Sequence, residues 1–309
     1  MQLIPPGTTY DFLGRKKYAF AVSGGLILLS FVFFLARGLV PGIDFSGGTI
    51  VQMHFKSPVA IDAVRSALSG AGMENAVIQH FGQRDEVLVR LPQTEEDPQK
   101  MSDAVRQQIG RAFGKDAFEV QRVETVGPKV GRDLIRQAIM AIVYSMIGLI
   151  IYITIRFDFK FGVAAIVALI HDVLITLGAF SITGKEMSLT VIAALLTVVG
   201  YSLNDTIVVF DRIRENQRRV RKEGYETMVN ASVNETLSRT ILTSGTTLIV
   251  LVALFFLGGE VIHDFSFALL VGIIVGTYSS IFVASPIVVL WREHQRPDRS
   301  KAKLISTKR

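Results

Sequence analysis

Apolar residues fall in long blocks along this chain instead of the short alternations of a soluble one. Six blocks are dense in Leu, Ile, Val, Ala and Phe, at about 18–36, 136–155, 161–181, 189–209, 240–258 and 265–290. A helix needs roughly 20 mostly apolar residues to cross about 30 Å of hydrocarbon, so each block predicts a membrane span. The last holds Pro286, which predicts a kink or an end there.

Between the first two blocks the period changes. Thr49–Phe55, with Ile50, Val51, Met53 and Phe55, alternates in strand fashion. Ile61–Ala71 places Ile61, Val64, Ala67 and Leu68 on one helical face, and Pro98–Phe113 does the same with Met101, Val105 and Ile109. Ala76–Phe81, Glu86–Leu91 and Phe118–Val126 read as further strands. The order βαββαβ predicts a small ferredoxin-like α+β domain within 37–135. About 80 residues bury only a modest core, so packing against a partner fits.

Composition agrees with a mostly helical membrane protein. Half the residues are hydrophobic and the mean hydropathy is +0.41, too apolar for an ordinary soluble chain of 309 residues. The formal net charge is +6, and the basic residues cluster beside the apolar blocks, which favours orientation signals over nucleic-acid binding. Arg15, Lys16 and Lys17 precede the first block, Arg156 and Lys160 follow the second, and Arg212, Arg214, Arg218, Arg219, Arg221 and Lys222 follow the fourth. The segment 291–309 is basic, whereas 182–188 and 259–264 carry only Lys185. Short-loop Lys and Arg stay on the cytoplasmic side. Residues 1–17 and the 291–309 tail are therefore expected to be cytoplasmic, with 37–135 facing outward. The Arg218–Lys222 cluster could instead touch a cytoplasmic partner or RNA; orientation and anionic headgroups explain it more simply. The first block is long for a signal peptide and no small-x-small site follows it, so it reads as a retained span.

Chemistry is sparse. The chain has no cysteine, which excludes disulfides, thiolate metal sites and thiol nucleophiles. It contains no phosphate-binding loop, no H-E-x-x-H and no dinucleotide fingerprint. No catalytic residue, metal site or bound cofactor is expected, and the chain does not read as an enzyme. What stands out are ionisable groups inside apolar blocks, which are expensive in lipid and functional by default. Asp205 lies in the fourth span, and Arg239 enters the fifth from the same side. Antiparallel helices could bring the two together. Apolar surroundings penalise the carboxylate's charge and a guanidinium offsets that penalty, so the pair reads as a proton relay or as a structural salt bridge. His171 and Asp172, midway along the third span, could extend a relay or glue helices by hydrogen bonding. Asn204 and Thr206 could orient Asp205 or pack helices. Asp211 and Arg212 read as a solvated helix end, and Gly272–Gly276 is a G-x-x-x-G that favours close helix packing.

Two stretches carry a family resemblance. Gly42-Ile43-Asp44-Phe45-Ser46-Gly47-Gly48-Thr49 resembles the glycine-rich motif shared by the SecD/SecF family. Val199 to Asn216, with Gly200-Tyr201-Ser202-Leu203-Asn204-Asp205-Thr206 at its heart, resembles the fourth-span string of that family's SecF branch. Ser238-Arg239-Thr240 and the His171–Asp172 pair also fit, so the resemblance covers nearly the whole chain. It implies half of a resistance-nodulation-division (RND) transmembrane unit in a bacterial inner membrane, with SecD supplying the other half. It implies use of the proton gradient, in place of a cofactor, to help unfolded preproteins leave the membrane at the SecYEG channel. SecA would act upstream, with YajC and YidC as candidate associates. It also implies that Asp205 and Arg239 take part in proton transport. Physically, Gly47 and Gly48 allow tight backbone approach and unusual φ, Asp44 could cap or anchor that turn, and Gly42 to Gly48 read as a coupling joint between span one and the outer domain. A small-solute exporter of the RND type, or a passive scaffold for SecD or the channel, remain the alternatives.

Overall fold

The structure, a computed structural model, describes residues 9–70, 73–81, 83–92, 98–219 and 224–294. Arg221, Lys222 and the basic tail beyond His294 lie outside the described residues.

Six long apolar helices form a bundle. The chain enters through α1 (Lys16–Arg37), makes a two-residue strand β1 (Val40–Pro41) and a single turn α2 (Ile43–Ser46), and passes into a sheet domain. That domain contains β2 (Gly48–Phe55), α3 (Ile61–Ser69), β3 (Val77–Phe81), β4 (Gln83–Leu91), α4 (Pro98–Phe113) and β5 (Phe118–Val126). Its strands lie in the order β3-β4-β2-β5, all antiparallel. This is the βαββαβ arrangement that the alternating apolar positions predict. Val51, Met53, Phe55, Val87 and Val89 share one face with Val64, Leu68, Val105 and Ile109 from the two helices, and all are buried. The domain's entry and exit are adjacent, because Gly48 pairs with Val126. The chain then returns to the bundle through α5 (Pro128–Arg156).

The remaining elements are α6 (Phe159–Thr183), β6 (Glu186–Met187), α7 (Leu189–Arg219), α8 (Tyr225–Leu257) and α9 (Glu260–Ser279). A π-helical turn at Ser280–Ala284 then leads into α10 (Ser285–His294). Pro286 therefore does not end the sixth span. A proline ring crowds the carbonyl four residues back and supplies no N–H; the wider turn just before it accommodates both defects, and the Ser285 hydroxyl donates to the Ser280 carbonyl at 2.8 Å.

The central helices α6, α7 and α9 carry most of the buried residues, while α1, α5 and α8 turn Val22, Leu28, Ile139, Ile151, Ile249 and Phe256 outward, as lipid contact requires. Three helices outrun the expected spans clearly, α5 because it begins at Pro128 and not near 136. At 31 and 33 residues, α7 and α8 are about 46 and 50 Å long, more than the hydrocarbon needs. Their projecting ends are tied together at the end of the bundle that carries Arg156, Lys160, Arg212 and Arg292. There Arg212 bonds Glu235 and Glu215, and the Asn216 amide donates to the Ser232 hydroxyl at 3.0 Å. Arg156 pairs with Asp211 at 2.9 Å, and α7 runs on to Arg219, so Asp211 and Arg212 are paired residues inside a continuing helix and not the helix end that the apolar block suggested. The sheet domain sits at the opposite end.

Candidate functional site

Two buried carboxylates face each other's neighbourhood across α7. Asp172 on α6 is fully buried, and its carboxylate is satisfied from three helices. His171 Nδ1 lies 2.8 Å from Oδ1, while the Ser202 hydroxyl of α7 and the Ser279 hydroxyl of α9 donate to Oδ2 at 2.5 and 2.8 Å. These bonds replace the water that a buried acceptor has lost. His171 is 3% exposed, stacks on Tyr278 at 6.2 Å, and leaves Nε2 without a hydrogen-bond partner among the described residues. Tyr278 in turn donates to the Ala19 carbonyl at 2.9 Å, which ties α9 to α1.

Glycine makes the convergence on Asp172 geometrically feasible. A methyl group at Gly276 would sit 2.9 Å from Ser202 Cβ, and one at Gly272 would run into the methyls of Val198. With hydrogen at both positions, α9 lies close against α7, near enough for Ser202 and Ser279 to share one oxygen.

Asp205, one turn beyond Ser202 on α7, is 4% exposed. It accepts a hydrogen bond from Ser244 of α8 at 3.3 Å, and Ser244 shares a second one with Thr277 of α9 at 2.8 Å. The antiparallel packing of α7 and α8 brings Asp205 and Arg239 into one region, but the Arg239 side chain is exposed and no direct ion pair joins them among the described residues. Asn204 points away from the Asp205 carboxylate's partners and is exposed midway along α7; Thr206 is buried.

The sequence reading misses Ser202 and Ser279, which donate to Asp172, Ser244, which donates to Asp205, and Thr277, which backs Ser244. Their signal is weak: hydroxyl residues are common in membrane helices, where most bond their own helix, as Thr246 does to the Leu242 carbonyl. Only the spacing of Ser202 and Asp205, which sets both on one side of α7, hinted at a shared polar seam.

At the other end of the bundle the glycine-rich segment lies against the α6–α7 connection. β1 pairs in parallel with β6, Val40 with Glu186 and Pro41 with Met187. The Leu189 backbone N–H donates to Asp44 Oδ2 at 2.8 Å, so Asp44 caps α7 and not its own turn. Gly47 and Gly48 take φ of 71° and 120°, values that L side chains rarely adopt.

Residues 105–294 match the family model described as protein export membrane protein SecD/SecF, C-terminal, and residues 32–59 match the SecD/SecF GG motif. The chain is 51% identical to the protein translocase subunit SecF of Desulfurispirillum indicum, covering 91% of each chain. It is 40% identical to that of Escherichia coli O157:H7, covering 92% of this chain and 90% of the other. Among solved structures, SecDF of Thermus thermophilus, described as a translocon-associated membrane protein, superposes with a TM-score of 0.84 at 43% identity. That match covers 93% of this chain and 39% of SecDF. SecDF in a super-membrane-facing form gives a TM-score of 0.71 at 41% identity, covering 99% of this chain and 41% of the other.

Proposed function

We propose that this chain, which belongs to the SecD/SecF family of protein export membrane proteins, works in Sec protein export as the SecF half of an RND-like unit, with SecD as the other half and the proton gradient as its energy source. The relatives' name and the SecDF likeness support the export role and an inner-membrane, multi-pass location.

The observation that carries the rest is the polar face around Asp205. Asn204 and Arg239 are exposed within helices of membrane-spanning character and make no side-chain hydrogen bond or ion pair in the described chain. Lipid would leave both uncompensated. A protein partner with its own polar groups fits that face far better, and a SecD half supplies one. Beneath it, Asp205 is held by a single 3.3 Å side-chain hydrogen bond among the described residues, loose enough to take up and release a proton. Asp172, which accepts from two serine hydroxyls and lies against His171 Nδ1, suits a structural group that organises helices, with His171 available to extend the path. The clustering of Arg156, Lys160, Arg212 and Arg292 at one end supports a cytoplasmic placement of that end, which puts the sheet domain in the periplasm.

Energetics shape the mechanism. One proton crossing 100 mV releases about 2.3 kcal/mol, while taking a two-state domain from 1:99 to 99:1 needs about 5.5 kcal/mol. The gradient therefore biases a thermally driven motion of the sheet domain, or several protons move in each cycle. SecYEG as the channel, unfolded preprotein as substrate, SecA upstream and YajC and YidC as associates complete this reading. The RND exporter alternative lacks support in a sheet domain this small. The passive scaffold differs from the motor in one measurement: preprotein export in membrane vesicles carrying Asp205→Asn, with assembly on SecD verified. Loss of gradient-stimulated export with normal assembly is expected; full stimulation would leave the scaffold as the better account.

A further inference from the structure

The sheet domain joins the bundle covalently at two places, Gly47–Gly48 into β2 and Gly127 into α5. A third junction has no covalent continuity. Asp44 Oδ2 accepts the backbone N–H of Leu189, the first residue of α7, across 145 positions of sequence. The first N–H groups of any helix lack partners inside it, and most helix starts solve this locally. This one does so in part, since the Ser188 hydroxyl accepts the Val191 N–H at 3.3 Å. The Asp44 carboxylate is added from another part of the fold, and the helix dipole favours a carboxylate at that end.

The surroundings are shaped for this contact. The Gly42 N–H donates to the Met187 carbonyl at 2.7 Å. A methyl on residue 42 would lie 2.7 Å from that same oxygen, so the β1–β6 pairing needs glycine there. From behind, Gly131 of α5 backs the turn, its own missing methyl 3.4 Å from the Asp44 carbonyl. Two residues past the turn, β2 begins, and β2 lies inside the sheet between β4 and β5. Arg90 of β4 adds an ion pair to Glu186 of β6. One route from the sheet to the head of α7 is thus four residues of helical turn and two glycines, and the Arg90–Glu186 pair is a second that reaches β6.

α7 also carries Asp205, 16 residues beyond Leu189 and so about 24 Å away. No proline interrupts the helix between them, so a shift or rotation at Leu189 is delivered to Asp205 by a stiff element. We propose that Asp44 is a positioning residue for proton coupling: it ties the head of α7 to the sheet domain, so that movement of the domain and movement of Asp205 are one motion. The inference rests on the proton-driven export reading above and assigns its mechanical link.

The test uses vesicles containing the full chain with SecD, and reads the ratio of preprotein export with and without a proton gradient. The variants are Asp44→Ala, Asp44→Asn, and Asp44→Ala combined with Val40→Cys and Glu186→Cys. Partners in a parallel ladder stand about 5 Å apart, within disulfide range, and the chain has no cysteine of its own. Asp44→Ala should lose most of the gradient-stimulated increment and keep the gradient-independent rate. Asp44→Asn retains an acceptor oxygen and should keep the increment. Oxidising the cysteine pair in the alanine background should restore stimulation, and reduction should remove it, as measured against the same pair in the otherwise native chain. A full increment in Asp44→Ala, equal losses in Ala and Asn, or a formed disulfide that restores nothing would each overturn the assignment. If the native chain itself shows no increment, the proton-driven reading fails instead, so the two failures are separable.

Discussion

Ser202 and Asp205 stand one helical turn apart on α7 and serve different neighbours: Ser202 donates to Asp172 of α6 at 2.5 Å, and Asp205 accepts from Ser244 of α8 at 3.3 Å. One helix thus connects a tightly satisfied carboxylate to a loosely held one. The contrast divides the labour between them, and it can be tested without any export assay.

If Asp172 organises the helices, its donors carry stability. Ser202→Ala leaves Asp172 with one hydroxyl donor fewer in a fully buried site, which costs about 1–3 kcal/mol. Asp172→Ala should cost more, since it strands Ser202, Ser279 and His171 together. A double-mutant cycle on detergent-solubilised protein should give a coupling of at least about 0.5 kcal/mol. Additive losses would detach Ser202 from the network.

Close approach of α9 to α7 predicts a size-specific defect. Gly272→Ala drives a methyl into Val198 and should cost about 1–3 kcal/mol. Val198→Ala in the same chain removes the obstructing methyls and should recover much of that loss. Thermal unfolding of the two single variants and the double variant decides it. Gly200→Ala, where nothing lies within 4 Å, serves as the tolerated control.

Arg239 offers the opposite test. It makes no direct ion pair within the described residues and is exposed. Arg239→Ala should therefore leave the stability of the chain purified without SecD within about 0.5 kcal/mol, yet weaken its recovery with SecD. A large loss of stability in the chain alone would place the arginine's role inside this protein.

A fourth expectation concerns the basic end. Asn230 Oδ1 accepts the Phe12 and Leu13 backbone N–H groups at 2.9 and 3.2 Å, and its amide donates to the Tyr10 carbonyl at 2.8 Å. Asn234 adds a reciprocal pair to Tyr10 at 2.8 and 2.9 Å. Asn230→Ala should release this segment from α8, seen as faster hydrogen exchange at Phe12 and Leu13 by about fivefold or more, the equivalent of one lost hydrogen bond. Unchanged exchange would mean that burial of Leu13 alone holds the segment.

Much of this molecule is legible in its residues. Blocks of about 20 apolar residues announce six spans, because backbone polar groups in lipid must be satisfied within the helix itself. The βαββαβ order follows from alternating and 3.6-period apolar positions, because each strand and helix has one face to bury. Asp205 stands out because a carboxylate in an apolar block demands an explanation. Pairing it with Arg239 was reasonable from their positions, yet Ser244, five residues further along α8, is the group that bonds it. Which side of a helix meets which neighbour depends on helix rotation and crossing, and those are decided by packing details such as the missing side chains of Gly272 and Gly276. The π turn before Pro286 and the cap that Asp44 supplies to α7 belong to the same class. The main helices and strands and the two carboxylates in apolar blocks could be read from the residues, since these depend on local period and on the cost of charge in lipid. Which groups satisfy each carboxylate, and what the glycine-rich joint holds, came from packing, since hydrogen bonds over 2.5–3.3 Å require contacts between helices far apart in the chain.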